Sequence, residues 1–274
     1  MNEKEIYEVY SKAVNDSGFS GDSTMPDRFI RETEFSSLLK IIYKYLGHSK
    51  FEESKILEIG CGNGYVVSRL LCEIPRLNLL GTDVNTEMIS LAKSRNLNQS
   101  EFIVADCREL QSVVKKQFDL IYSIRCLINL VSWQDQEAAL KNIEISLKPG
   151  GYIVLLEAFI DGHEKYNEMR KIFDLPHYPF APQNLYLDLS NVDLAFKSVG
   201  LEYLQMEDLS DITHHLSSHY LSSRVLNDAF GPSDKPYFNN KNSNLIRGLS
   251  ELISNRTSGF SPLQVHVWKK PATK

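Results

Sequence analysis

The sequence predicts an α/β fold built on a doubly wound parallel sheet, and three observations carry that expectation. A short buried strand, Lys55-Ile56-Leu57-Glu58-Ile59, runs into glycines at alternate positions, Gly60, Gly62 and Gly64. A helix follows at once, with Val66, Val67, Leu70 and Leu71 on one face. From Ile56 to Glu157 strands and helices then alternate, which is the rhythm of consecutive βαβ units. Acidic residues close the third observation: Glu58, Asp83 and Asp106 sit at or near the ends of three successive strands. In open α/β sheets those carboxyl ends are where ligands bind.

Taken in order, residues 1–50 read as a helical lead-in or lid. Glu5 to Val14 suits a first helix, broken around Gly18-Phe19-Ser20-Gly21. Pro26 marks the start of a second, and its apolar pattern runs through Phe29, Ile30, Phe35, Leu38, Leu39, Ile41, Ile42, Tyr45 and Leu46 up to Gly47. Residues 51–160 form the ligand-binding core. Its strands are expected at Lys55–Ile59, Leu77–Asp83, Glu101–Ala105, Phe118–Ser123 and Tyr152–Glu157. A helix covers about Gln134 to Leu147, and Lys148-Pro149-Gly150-Gly151 turns the chain into the fifth strand. Residues 161–274 complete the sheet. The segment 158–188, with Pro176, Pro179 and Pro182 among aromatics, reads as an ordered loop or lid that carries Asn167 and Arg170 on a short helix. A helix at Val192–Val199, a sixth strand at Leu201–Glu207, a mostly helical insertion at about 211–258 and a last strand at Val265–Lys269 follow.

Composition sets bounds on function. The 274 residues are 42% hydrophobic, enough for a large core, and the formal net charge of −5 argues against a general nucleic-acid binder. Cys61, Cys72, Cys107 and Cys126 fall in no metal or disulfide spacing and read as reduced thiols of a cytoplasmic protein. The polar start Met1-Asn2-Glu3-Lys4-Glu5 is unlike a signal peptide, and no apolar run approaches the length of a membrane span.

The glycine spacing narrows the ligand. A dinucleotide fingerprint would need its third glycine at Tyr65, and no Lys-Ser/Thr pair follows to make a P-loop. The pattern Glu58-x-Gly60-x-Gly62-x-Gly64 instead resembles motif I of the class I S-adenosylmethionine (SAM)-dependent methyltransferases. Leu147-Lys148-Pro149-Gly150-Gly151 is also similar to that family, and the resemblance covers roughly residues 35–160. It implies a seven-stranded, mostly parallel sheet whose last strand is antiparallel. It also implies SAM as cofactor, S-adenosylhomocysteine (SAH) as product, and no metal, since Ser123 and Arg125 stand where an acidic ligand would be needed. A carboxylate at Glu58 suits a cation and would repel a phosphate.

On this resemblance the cofactor is held by Glu58, Gly60, Cys61, Gly62, Asn63 and Gly64, with Asp83 on the ribose hydroxyls and Asp106 on the adenine amino group. Val84 and Cys107 line the adenine faces, Met88 belongs to the same cofactor set, as do Ser123 at the end of strand four and Arg125 just beyond it, and Arg31 folds over to the SAM carboxylate. Methyl transfer mainly requires alignment and exclusion of water. A hydroxyl acceptor also needs a base, for which Glu157 and His163 are the expected pair. Tyr10, Asn129, Arg170, Tyr186, His219, Tyr220 and Arg224 are expected at the acceptor, because arginines, tyrosines and amides suit a small polar, anionic metabolite such as a glycan precursor. An amine acceptor and a non-catalytic SAM/SAH-binding regulator are the alternatives. The partners expected are a small molecule and a possible homodimer, with neither nucleic acid nor membrane.

Overall fold

Residues 1–21, 25–204, 217–230, 243–253 and 261–272 are described by a computed structural model. The strands are β1 (Lys55–Ile59), β2 (Asn78–Asp83), β3 (Ser100–Val104), β4 (Phe118–Ile124), β5 (Leu147–Ala158), β6 (Glu202–Leu204) and β7 (Leu263–Lys269). They form one sheet in the order β3-β2-β1-β4-β5-β7-β6. The first five are mutually parallel, and β7 runs antiparallel between β5 and β6. This is the doubly wound, mostly parallel arrangement the sequence predicts. Strand order reverses between β1 and β4, so their carboxyl ends open a crevice.

The central strands are buried on both faces, which is why β1 and β4 read as nearly continuous apolar runs. Helices α1 (Glu3–Ser17), α2 (Arg28–Leu46), α3 (Tyr65–Glu73), α4 (Thr86–Ser94), α5 (Leu110–Val113) and α6 (Trp133–Ser146) precede β5 in the chain. On α2, Ile30, Phe35, Leu38, Ile41, Ile42 and Leu46 form the buried stripe and join the main core. Asp27 rather than Pro26 caps its start, accepting from the Ile30 amide at 3.3 Å, and Gly47 ends it at φ +68°. After β5 come α7 (Ile160–Ile172), α8 (Leu189–Ser198), a short π-helical turn at Leu221–Leu226, α9 (Asn227–Phe230) and α10 (Asn244–Ile253).

Two expectations need correction. The Lys148–Gly151 turn lies inside β5, as an irregularity where the register against β4 shifts between Phe118 and Leu120. Within 158–188 the whole first half is the helix α7, longer than the short helix expected around Asn167 and Arg170. Its buried stripe is Gly162, His163, Tyr166 and Arg170, residues that an apolar count passes over. Gly162 is there because the Ser261 carbonyl oxygen lies 2.1 Å from where a Cβ would stand. The described part of β6 is three residues long, and 205–207, like much of the 211–258 insertion, lies outside the described residues.

Candidate active site

The glycine turn is pulled onto the neighbouring strand. The amides of Gly60 and Cys61 both donate to the Thr82 carbonyl, at 2.7 and 2.9 Å, and the Gly62 amide donates to Asp83 Oδ2 at 2.9 Å. Gly60 sits at φ +72°, and a Cβ on it would stand 2.3 Å from Cys126 Sγ. Only glycine fits there. The result is a floor of bare backbone at the carboxyl end of β1.

Above that floor lies a cavity of about 260 Å³. Glu58, Gly60, Cys61, Gly62 and Asn63 reach it from the β1 turn, Asp83, Val84 and Met88 from β2 and α4, and Asp106 and Cys107 from the end of β3. Arg31 comes from α2, Arg125 and Asn129 from the segment after β4, and Tyr10 from α1. So β1, β2, β3 and β4 all converge on one space. Gly64 and Ser123 do not line it. Gly64 caps α3 in a left-handed conformation, where a Cβ would press within 3.1 Å of Phe102 and Ala92, and the fully buried Ser123 hydroxyl donates to Glu157 Oε1 at 2.7 Å.

The carboxylates of the cavity differ in charge state. Burial, reinforced by the Asp83 charge and opposed by Tyr122, pushes Glu58 up to about 8. Burial also raises Asp83, against the pull of the Asn85, Gly62 and Val84 amides. Burial would raise Asp106 too, but Arg108 outweighs it and holds that carboxyl below its usual value. Arg108 donates from Nε to both Asp106 oxygens at 3.0 Å, and also pairs with Glu3 of α1 and Asp135 of α6. Asp106 therefore meets any ligand as half of an ion pair.

Of the roof, sequence reasoning named only Tyr10. Glu3, Ile6 and Tyr7 line the cavity together with Tyr10. Their spacing, i, i+3, i+4 and i+7, is one helical face, a signal present in the sequence. Tyr10 Oη donates to Asn129 Oδ1 at 3.1 Å, Asn85 Nδ2 donates to Ser11 Oγ at 2.9 Å, and the Tyr7 and Thr86 hydroxyls lie 3.1 Å apart. Asn63 Nδ2 donates to the Gly18 and Ser20 carbonyls at 2.7 and 3.1 Å, tying the end of the lead-in to the glycine turn. Glu34 was also missed; burial raises its carboxyl even though Arg125 Nε donates to it at 2.9 Å.

Both expected bases lie elsewhere. Glu157 is fully buried and does not line the cavity. Its carboxylate accepts from Ser123 and from the Cys126, Leu127 and Ile128 amides, at 2.7, 2.9, 3.2 and 3.4 Å. Chain order puts residue 157 at a strand end, but these donors turn it into the protein. His163 is buried on α7, stacked on Phe180 at 4.2 Å with Tyr186 edge-on at 5.3 Å, and burial lowers its pKa.

The expected acceptor residues beyond Tyr10 and Asn129 also pack away from the cavity. Arg170 donates to the Pro176 carbonyl at 2.9 Å and to Asp228 at 2.7 Å. His219 is fully buried between the Asp27 carboxylate, 2.9 Å from its Nε2, and the Phe29 ring at 4.4 Å. Arg224 reaches the same Asp27 at 3.4 Å and lies over the Tyr220 ring, which in turn meets Tyr166 edge-on at 5.5 Å. Tyr186 completes this aromatic cluster. Among the described residues no helix is long and apolar enough to cross a membrane.

The sheet order and the glycine-floored cavity at its switch point define a class I methyltransferase fold. Residues 56–151 match a family model described as a methyltransferase domain. A malonyl-(acyl-carrier protein) O-methyltransferase of Priestia megaterium is 31% identical over 163 residues, 59% of this chain and 52% of the relative. A second enzyme of that name from Ilyobacter polytropus is 33% identical over 126 residues, 44% of each chain. The chain thus spans about half the length of these curated relatives. Among solved structures, the plantazolicin methyltransferase BpumL in complex with SAH matches 99% of this chain and 98% of its own, at 16% identity and a TM-score of 0.51. Magnesium protoporphyrin IX methyltransferase from Synechocystis PCC 6803 matches 73% of this chain and 85% of its own, at 13% identity and a TM-score of 0.52. At those identities the likeness is one of fold. Residues 56–151 thus match a methyltransferase domain, set in a sheet of the class I arrangement.

Proposed function

We propose that this chain is a SAM-dependent methyltransferase acting on a small polar acceptor. The observation that supports it most is the pairing of a side-chain-free glycine floor with Glu58 and Asp83 in one cavity. Those carboxylate acceptors fit SAM, which carries an ammonium, a sulfonium and two ribose hydroxyls but no phosphate. Glu58 and the glycine turn would face the amino-acid end, Asp83 the ribose, Val84, Met88 and Cys107 the adenine, and Arg31 the carboxylate. Bound SAM would supply a methyl group on a positively charged sulfur. The chain's own part is to align the acceptor and shed water beneath α1.

The acceptor reading shifts with Glu157 and His163. A sugar hydroxyl needs its proton removed, and neither expected base lines the cavity. An acceptor that is already nucleophilic is favoured, and a carboxylate is the simplest. A malonyl group, named in the curated relatives, offers such an oxygen, and Arg125, held by Glu34 at 2.9 Å, lines the cavity where it would meet it. The four free cysteines support a cytoplasmic setting.

The test is SAM bearing a deuterated methyl group, incubated with the protein and a small-molecule extract. Labelled product lost under mild alkali is the ester expected here. Alkali-stable label would mark an ether or an N-methyl amine and overturn the carboxylate reading. SAM binding without any labelled product would favour the non-catalytic alternative.

A further inference from the structure

The segment after β4 is held together from another strand. At its start Arg125 takes φ +51°, a left-handed conformation that a non-glycine residue keeps only where its surroundings hold it. A single 3-10 turn, Leu127–Asn129, follows and is too short to be stable alone. Three amides entering that turn would be orphans. They donate instead to Glu157 of β5: Cys126 and Leu127 to Oε1 at 2.9 and 3.2 Å, Ile128 to Oε2 at 3.4 Å. Ser123 adds its hydroxyl to Oε1. One buried carboxylate therefore gathers four donors over six residues.

What it gathers is a wall of the cavity. Arg125, Cys126, Asn129 and Leu130 all line it. Cys126 fills the space directly over Gly60. Asn129 Oδ1 accepts from Tyr10 of the α1 roof at 3.1 Å and from Asn184 of the proline-containing segment at 2.9 Å, and its Nδ2 donates to the Arg125 carbonyl at 2.9 Å. The Leu185 amide donates to the Ile128 carbonyl at 2.7 Å. Roof, lid segment and glycine turn thus take their register from these six residues.

We infer that Glu157 is a positioning residue, whose carboxylate fixes the 125–130 turn and, through it, the cavity wall presented to cofactor and acceptor. It replaces the base expected at this position with an indirect role, and it rests on the proposed function for the identity of the ligand. What the arrangement needs is an oxygen acceptor at each of these positions, because an apolar residue of the same size would leave four buried donors unpaired.

The experiment compares the wild type with Glu157→Gln and Ser123→Ala by SAH titration calorimetry, thermal melting and amide exchange of residues 126–130. In Glu157→Gln an amide oxygen can still meet the donors of Oε1, while an NH2 faces the Ile128 amide. A folded protein is expected with about tenfold weaker SAH binding and lost protection at Ile128. Ser123→Ala removes one donor without touching the turn and is expected to weaken binding about two- to threefold, which keeps the test decisive if Glu157→Gln does not fold. Lower melting temperatures with unchanged SAH affinity in the folded variants would assign Glu157 a purely structural role and overturn the inference. Failure of the wild type itself to bind SAH would overturn both this inference and the cofactor assignment.

Discussion

The acidic strand ends around the glycine turn and the Arg-Tyr-His set drawn from α7, Tyr186 and residues 217–226 look equally like site residues in the sequence, yet they fold into opposite circumstances. Glu58, Asp83 and Asp106 all face one cavity. Arg170, Tyr186, His219, Tyr220 and Arg224 close on one another or on Asp27 and Asp228. The difference is topological. Parallel strands deliver all their carboxyl ends to one edge of the sheet, so residues there share a site wherever they fall in the chain. A helix fixes which residues share a face but not what that face meets.

The sharpest way to break the comparison is Gly60→Ala. A Cβ there would stand 2.3 and 2.5 Å from the sulfur and Cβ of Cys126, at φ +72°. Overpacking and a left-handed alanine together should cost about 3–5 kcal/mol and abolish SAH binding, read by urea unfolding and calorimetry. Adding Cys126→Gly should restore part of the stability; no recovery would mean that the clash is elsewhere. Next, Asp83→Asn weakens the bonds to the Gly62 and Asn85 amides, at 2.9 and 2.8 Å, and removes the charge offered to the ligand. SAH affinity should fall about 10- to 100-fold.

A pH series sharpens the same contrast. Glu58 is held up to about 8, mainly by burial. Below that pH it is neutral, whereas a ligand ammonium favours the carboxylate. SAH affinity should therefore rise from pH 6.5 to 8 and then level off, by up to about tenfold per unit, and Glu58→Gln should flatten the rise. Stability runs the other way. A carboxyl raised in the folded state contributes most below its ordinary value of 4.5, and that contribution is lost as pH climbs through about 8 for Glu58 and about 7 for Glu157. Urea midpoints should fall over that range, less steeply in Glu58→Gln.

Arg170→Met tests the other side. It removes the bonds to Pro176 and to the half-exposed Asp228, so stability should drop by about 1–2 kcal/mol while SAH affinity stays within about twofold. A large loss of SAH affinity would show the two regions to be coupled. The smallest effect is expected from the exposed Arg76–Glu52 pair, where Arg76→Ala should change stability by about 0.5 kcal/mol or less.

The sheet was legible because each βα unit signs itself locally, through an apolar run, a glycine or acidic end and a helical stripe. α7 was legible only in part, as a short helix, because Gly162, His163, Tyr166 and Arg170 make its buried face and none of them counts as aliphatic. Glu157 was placed correctly along the chain and misread in direction, since the amides that capture it belong to residues some thirty positions earlier. Long-range hydrogen bonds of that kind leave no periodic trace. The roof lay between these cases, its stripe from Glu3 to Tyr10 visible but its partner hidden.

That roof has a kinetic consequence. α1 is fastened by Tyr7 to Thr86, Ser11 to Asn85, Tyr10 to Asn129 and Glu3 to Arg108, bonds that are all exposed or only partly buried. Each is worth about 1 kcal/mol, so the helix can detach without the sheet unfolding. A ligand beneath it leaves at the rate at which these latches open. Because one of them is an ion pair, added salt should shorten the bound lifetime more than it slows arrival.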